Sequence, residues 1–199
     1  AATYNMEERY TAYTKGSQTP STPQTPSGTT VPPSGARIRL CIEADQRAGS
    51  LLDALERANG WATFYCTPEF MENNGDLLRR LAVSGSAVGL LLDPEDPAES
   101  LDQQLKRGND ALYRATLTRT RLVYADGGEE TLQALEQLGY SCLTPDMDRT
   151  DYKLESAANA AALLKRVSAR RRDVSVWLGT TASAAGVKEF VSSAQREGH

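Results

Sequence analysis

The alternation of short β-type runs with amphipathic helical stretches limits the possible fold of this chain more than any other feature. The β-type runs cover residues 38–43, 62–66, 87–92, 121–124, 141–143 and 174–178. Between these runs leucines recur at helical spacing, as at Leu132, Leu135 and Leu138, which indicates the apolar face of a helix. Repeated β-α units of this length favour right-handed crossovers and parallel strands. The sequence therefore predicts one α/β domain, built on either an open doubly wound sheet or a barrel.

The ends of the predicted helices carry recognisable cap residues. Gly60, Gly85 and Gly139 each follow the last apolar turn of a helix, where a residue without Cβ adopts the left-handed conformation easily. Thr67 and Asp96 each stand before a proline, so we expect each of them to cap a helix whose first residue is that proline.

The N-terminal part of the chain has a different composition. Residues 15–35 consist mostly of Thr, Pro, Ser, Gln and Gly, and such a segment cannot bury enough apolar surface to offset its ordering entropy. We therefore divide the chain into an N-terminal segment with an extended linker, residues 1–36, and a folded domain, residues 37–199. Linkers of this composition commonly join a bacterial surface domain to its anchor. The expected location is extracytoplasmic, at the cell surface or secreted, with any membrane anchor upstream.

Several classes of function are excluded by composition and residue counts. The net charge of -4 leaves no general basic surface for nucleic acid, and no apolar run approaches the length of a membrane span. The single histidine is His199, so catalytic triads and zinc sites that need internal histidines are ruled out. No phosphate-binding glycine motif follows the first strand. Cys41, Cys66 and Cys142 lie in apolar runs, and we expect them to be buried core thiols.

Candidate site residues follow from the predicted sheet, because ligands bind at the carboxyl ends of parallel strands. Acidic residues collect after these strands: Glu43, Asp45, Asp93, Glu95, Asp96, Asp126, Asp146 and Asp148. Such a ring could hold a hard cation or supply a glycosidase-like acid pair, and solvated loop and capping roles explain the same residues. Tyr124 and Tyr152 are the aromatic residues placed to stack on a sugar ring.

The sequence from residue 38 to about residue 197 resembles the NodB-type polysaccharide deacetylases, the carbohydrate esterase 4-like family. The resemblance rests on the first strand and helix (38–60), the second strand (61–66), the helix and strand of 76–89, the helix of 132–140, and the aspartate-rich stretch 146–152. It implies a distorted (β/α) barrel of mostly parallel strands. The family's strand after the final helix has no counterpart in this sequence, so the implied barrel is incomplete.

The resemblance also implies where the family's catalytic residues would fall. Family members hold a divalent metal with one aspartate and two histidines, and a neighbouring aspartate acts as the base. The paired aspartates correspond to Glu43 and Ala44, and the two histidines correspond to Leu91 and Glu95. The arginine of a later motif corresponds to Tyr124.

These degenerate positions predict a catalytically inactive pseudoenzyme, with no intact catalytic residue, no metal site and no cofactor. The predicted role is a glycan- or protein-binding module at the bacterial cell surface, with a cell-wall glycan or an envelope protein as its partner. The candidate ligand-binding residues are Glu43, Asp45, Glu95, Tyr124, Asp126, Asp146, Asp148 and Tyr152.

Two alternatives stay open from the sequence. One is a divalent-metal-dependent N-deacetylase that uses carboxylates alone on a peptidoglycan- or chitin-type substrate, hydrolysing its C–N amide bonds. The other is a structural domain for envelope assembly. A cleft filled by Leu90, Leu91 and Leu92 would favour the structural domain, and an open cleft lined by acids and Tyr124 would favour glycan binding.

Overall fold

The computed structural model describes residues 36–148 and 153–199, so the predicted linker lies outside the described residues. Within these ranges the chain forms seven strands and seven helices. In chain order they are β1 (Ile38–Glu43), α1 (Ala48–Arg57), β2 (Thr63–Cys66), α2 (Pro68–Asn73), α3 (Gly75–Ser84), β3 (Ala87–Leu92), α4 (Leu101–Thr116), β4 (Leu122–Ala125), α5 (Glu129–Gln137), β5 (Ser141–Cys142), β6 (Met147–Asp148), α6 (Ala157–Ser168), β7 (Val174–Gly179) and α7 (Ala184–Arg196).

The strands form one parallel sheet with the order β5-β4-β3-β2-β1-β7-β6. The sheet curls into a distorted, partly open barrel, and β5 and β6 are its two edges. This confirms the predicted α/β class and the (β/α) barrel of parallel strands. β1 is an interior strand, paired with β2 and β7, and its carboxyl end lies at the barrel mouth.

Alternate residues of the strands face two different apolar clusters. The larger cluster lies between the sheet and the helices, and Ile42, Phe64 and Leu90 are fully buried in it. The smaller cluster fills the inside of the barrel, where Cys41 and Tyr65 are buried. The strands that carry both clusters therefore read as nearly continuous apolar runs in the sequence.

Two of the five predicted helix caps are wrong. Asp96 accepts a hydrogen bond from the backbone N–H of Ala98 at 2.8 Å and forms a local turn, while α4 begins at Leu101 with a capping box from Ser100. The left-handed residue after α1 is Asn59, with φ 52°, and not Gly60. Gly60 instead allows α7 to pack close to the backbone at this position, because a Cβ there would lie 2.5 Å from Val191 of α7.

The other three predicted caps are confirmed. Thr67 Oγ1 accepts from the backbone N–H of Phe70 at 3.1 Å, and Gly85 and Gly139 have φ of 84° and 89°. Both glycines therefore adopt the conformation that a Cβ disfavours.

The three cysteines are free, and two of them are fully buried as predicted. Burial raises the pKa of the Cys66 thiol to about 12 and, against the opposing charge of Arg39, that of Cys41 to about 12. Cys142 is only half-buried, on the edge strand β5. Thiols with such pKa values stay protonated at neutral pH and pack as small apolar groups.

Candidate binding site

Four of the predicted acidic residues lie at the mouth, the end of the barrel where the strands finish. Glu43 is the last residue of β1, and Asp45 follows it in the loop to α1. Glu95 lies in the exposed loop after β3, and Asp126 directly follows β4. The fold thus brings these four carboxylates to one end of the barrel, as the sequence predicts for parallel strands.

Asp146, Asp148 and Tyr152 are three further predicted site residues. Asp146 lies at the opposite, amino end of the barrel, where its carboxylate accepts from the Ser175 backbone N–H at 2.9 Å and from Arg172 at 2.9 Å. Asp148 is exposed and lies level with Trp177 on the short edge strand β6. Tyr152 lies outside the described residues.

The inside of the barrel below the mouth is filled by three aromatic rings, which we call the aromatic floor: Tyr65, Tyr124 and Trp177. The Tyr124 and Trp177 rings stack with centroids 4.2 Å apart. The buried Tyr65 ring meets them edge-on, at 6.2 Å from Tyr124 and 5.7 Å from Trp177. Tyr124 and Trp177 are only half-buried, so part of each ring is exposed to solvent.

Two sequence features build the aromatic floor. Along β7 the residues alternate between the two faces, so Trp177 points into the barrel while Val176 and Leu178 face the helices. This alternation could have identified Trp177, which the sequence reasoning missed. Gly89 makes room for the buried ring, because a Cβ there would lie 2.6 Å from the Tyr65 ring.

The positions that correspond to the family's metal ligands do not form a metal site in this chain. Ala44 is buried and has no side-chain donor, and its backbone N–H donates to the Tyr65 carbonyl at 2.9 Å. Leu91 packs against the aromatic floor, level with Tyr124. No group of three or more His, Cys, Asp or Glu side chains suited to a metal occurs among the described residues. Two of the three ligand positions are apolar, so the donor set does not fit the divalent metal.

A guanidinium group occupies the loop beside these positions. Arg47 forms an ion pair with Asp45 at 3.0 Å, and it donates to the backbone carbonyls of Ala182, at 3.1 Å, and of Thr180. The loop after β1 is thereby tied to the loop after β7. The side chains of Arg47 and Asp45 are 40% and 27% exposed, so the pair borders the mouth and is not part of the core.

A buried glutamine of α4 holds the loop after β3 through hydrogen bonds. Gln104 is 3% exposed; its Oε1 accepts from the Asp93 N–H at 2.8 Å, and its Nε2 donates to the carbonyls of Asp93, at 2.8 Å, and of Glu99, at 3.0 Å. The side chain of Asp93 in turn accepts from the Glu95 N–H at 2.9 Å. This network fixes the backbone from which the exposed Glu95 projects.

The surroundings of Glu43 disfavour its ionised form. Burial raises its pKa, and the nearby charge of Asp45 raises it further. Carboxyl groups whose pKa is shifted by burial and a neighbouring charge commonly mark functional sites.

No family model and no curated protein matches this sequence, but several solved structures share its fold. The peptidoglycan deacetylase PdaC from Bacillus subtilis is 19% identical over 84% of this chain and 87% of its own, with a TM-score of 0.66. A family 4 carbohydrate esterase from Streptomyces lividans, in complex with acetate, is 16% identical over 82% of this chain and 88% of its own, with a TM-score of 0.63.

A third similar structure is a CE4 family pseudoenzyme from Bacillus anthracis. It is 18% identical over 84% of this chain and 63% of its own, with a TM-score of 0.65. Similarities at this level of identity establish a shared fold. Separately, no helix in the described ranges has the length and apolarity to cross a membrane.

Proposed function

Because the chain has the fold of the NodB-type polysaccharide deacetylases, as its sequence resemblance predicts, we propose that it is a non-catalytic member of that fold which binds cell-wall glycan. The proposed location is outside the cytoplasm, at the bacterial surface. The observation that carries the proposal is the stacked, partly exposed Tyr124–Trp177 pair, inside a barrel where two of the three metal-ligand positions are apolar.

The lack of donors argues against deacetylation by this chain. Hydrolysis of an acetamide in this way needs a metal ion that lowers the pKa of its bound water, and the ligands must hold that ion in place. Ala44 and Leu91 offer no ligand atoms, and Leu91 is held against the aromatic floor. Glu43 alone could serve as a base, but it would act on water that no metal has activated.

The same mouth has the features of a sugar-binding surface. Aromatic ring faces pack against the apolar C–H faces of pyranose rings, and nearby polar groups then fix the orientation of the sugar. Tyr124 and Trp177 provide the ring surface, while Glu43 and Asp126 offer acceptors for hydroxyl and amide N–H groups. Two of the structurally similar proteins are named as peptidoglycan deacetylases, which favours an N-acetylglucosamine-containing glycan as the ligand.

Tryptophan fluorescence provides a direct test, because the chain has two tryptophans and only Trp177 lies at the mouth. In the Trp61→Phe protein, titration with an N-acetylglucosamine tetramer should change the Trp177 emission saturably. Tyr124→Ala should weaken this binding about tenfold, since the loss of one stacking partner costs about 1.4 kcal/mol. Tyr113→Ala, which removes an exposed tyrosine of α4 outside the mouth, is the matched control and should leave the affinity unchanged.

Acetate release in the same samples separates the alternatives. With Zn²⁺ present we expect glycan binding without acetate. Stoichiometric Zn²⁺ binding with acetate release, abolished by Glu43→Gln, would contradict the proposal and favour the carboxylate-based N-deacetylase. If neither binding nor acetate were detected, the structural assembly domain would replace the glycan-binding module.

A further inference from the structure

Two hydroxyl groups inside the barrel have no hydrogen-bond partner among the described residues, although both residues are almost fully buried. Thr63 and Tyr65 of β2 are 4% and 3% exposed, and both face inwards because Phe64 between them packs against the helices. Neither side-chain oxygen forms a hydrogen bond with a described residue. The fully enclosed side-chain nitrogens and oxygens of the described residues all have partners, so these two hydroxyls reach space that water or a ligand can enter.

A positive charge lies on the same inner face of the sheet. The residues of β1 alternate in the same way, so Arg39 faces inwards with Cys41, which is level with Thr63. The exposed Arg39 side chain forms no ion pair or hydrogen bond with a described residue. Burial raises the pKa of Tyr65 and of Cys41, and the Arg39 guanidinium opposes both shifts, whereas no described carboxylate affects either group. Arg39, Thr63 and Tyr65, which we call the inner polar cluster, therefore share an electropositive space.

The surrounding connections do not neutralise this charge. The connections into β2, β3, β4 and β5 reach the amino end of the barrel, and none of them contains an acidic residue. The connections into β6 and β7 contain Asp146 and Asp173. Asp146 is paired with Arg172, and Asp173 accepts from the Arg37 backbone N–H at 2.8 Å. The mouth, by contrast, carries the carboxylates that follow β1, β3 and β4, so the two ends of the barrel differ in charge.

We propose that the inner polar cluster binds a small carboxylate at the amino end of the barrel. The parallel N–H groups of a guanidinium match the two oxygens of a carboxylate, and each hydroxyl can donate one further hydrogen bond. The apolar residues around the cluster, Cys41, Leu122 and Leu143, favour an anion with a single charge, since burying a second charge costs more free energy. This site is separate from the glycan-binding mouth and does not depend on it.

An NMR titration of the ¹⁵N-labelled full chain with sodium acetate tests the proposal. With sodium chloride keeping the ionic strength constant, the backbone amide signals of Arg39, Thr63 and Tyr65 should shift saturably. Arg39→Gln should abolish the saturation. Tyr65→Phe and Thr63→Val each remove one hydroxyl and keep the shape of the side chain, so each should weaken acetate binding about tenfold. The matched control is Arg119→Gln, which makes the same change at the same end of the barrel, where Arg119 stacks on Tyr113, and should leave the affinity unchanged.

Thermal unfolding distinguishes lost binding from damaged folding. Without acetate, Tyr65→Phe should unfold at the same temperature as the unsubstituted protein or higher, because no hydrogen bond within the described protein is lost. Acetate should raise the unfolding temperature of the unsubstituted chain and not that of Tyr65→Phe.

Two further ligands identify the source of the carboxylate. If acetyl-dialanine binds more tightly than acetate and its C-terminal amide does not bind, the natural ligand is a chain terminus; if acetate binds more tightly, it is a free carboxylate. The absence of saturable shifts with acetate would overturn the proposal. An unchanged affinity in both hydroxyl variants, or an equal loss of affinity in Arg39→Gln and Arg119→Gln, would overturn it as well.

Discussion

Gly49 and Gly108 both lie inside helices, yet an added side chain would meet opposite surroundings at the two positions. A Cβ at Gly49 in α1 would have no atom within 4 Å. A Cβ at Gly108 in α4 would lie 2.2 Å from Leu90 Cδ2, and Leu90 is fully buried in β3. The glycine at position 108 therefore sets the distance between α4 and the sheet.

The same substitution should consequently change stability in opposite directions. Gly49→Ala should raise the free energy of unfolding by about 0.5 kcal/mol, because alanine loses less backbone entropy in a helix. Gly108→Ala should lower it by about 1–3 kcal/mol through overpacking. Urea denaturation of both proteins measures the two changes, and a stabilised Gly108→Ala protein would show that the helix can move away from the sheet at little cost.

At Glu43 the raised pKa makes stability depend on pH. Burial and Asp45 disfavour the ionised side chain in the folded state, so ionisation above the pKa of the unfolded chain costs stability. Glu43→Gln should therefore be more stable than the unsubstituted protein at pH 7, and the difference should vanish as the pH falls below about 4.3. Thermal unfolding between pH 3 and pH 7 measures it; a difference that stays constant with pH would rule out ionisation as the cause.

Among the elements, helix α4 stabilises a loop at the mouth through the side chain of Gln104. This one side chain accepts one hydrogen bond from the loop after β3 and donates two to it. Gln104→Ala should leave partly buried backbone groups of Asp93 and Glu99 without these partners and lower the free energy of unfolding by about 1 kcal/mol. Hydrogen exchange should show faster exchange of the Asp93 amide than of amides in β1. Equal acceleration in both places would mean that the whole domain, and not the loop, is loosened.

The edge strand β6 depends on a carboxylate at its start. The hydrogen bond from the Ser175 N–H is the main cause of the lowered pKa of Asp146, and Arg172 and the Ser175 hydroxyl lower it further. A lowered pKa stabilises the fold above the pKa of the unfolded aspartate, and this contribution disappears as the pH falls through the folded value.

Asp146→Asn should thus be less stable at pH 7 by about 1 kcal/mol, a modest value because the side chain is 26% exposed. The difference should shrink below about pH 4. Asp126→Asn removes an exposed carboxylate and controls for the change in net charge. A loss of stability equal in both variants would assign the effect to charge alone.

For the molecule as a whole, the mouth and the Asp146 carboxylate should behave as separate sites. They lie at opposite ends of the barrel, and distant substitutions usually have additive effects. In the Trp61→Phe background, the double variant Tyr124→Ala with Asp146→Asn should show the glycan affinity of the first change alone. Fluorescence titration of the double and single variants tests this, and a glycan affinity that changes with Asp146→Asn would mean that the two ends are coupled.

How well the sequence predicts a structural feature depends on how close together in the chain the residues that form it lie. Strands such as β1 and β3 are predicted to the residue because six consecutive apolar or β-type positions carry the pattern. The two-residue strand β6 has no periodicity to detect and depends on pairing with β7. For the same reason the position of Asp146 could not be read from the sequence, since its partners lie 26 and 29 residues away. Trp177 was predictable in principle, but its stacking on Tyr124 arises only when the sheet curls.

The interior position of β1 in the sheet has a mechanical consequence. This strand is hydrogen-bonded to β2 on one side and to β7 on the other, and the N-terminal segment joins it at the end opposite the mouth. A pull between that segment and a ligand held at the mouth would run lengthwise along β1. Such a load acts in shear on both rows of hydrogen bonds at once and does not peel them apart one at a time. A tethered domain with this geometry can bear tension along its axis while its mouth faces away from the tether.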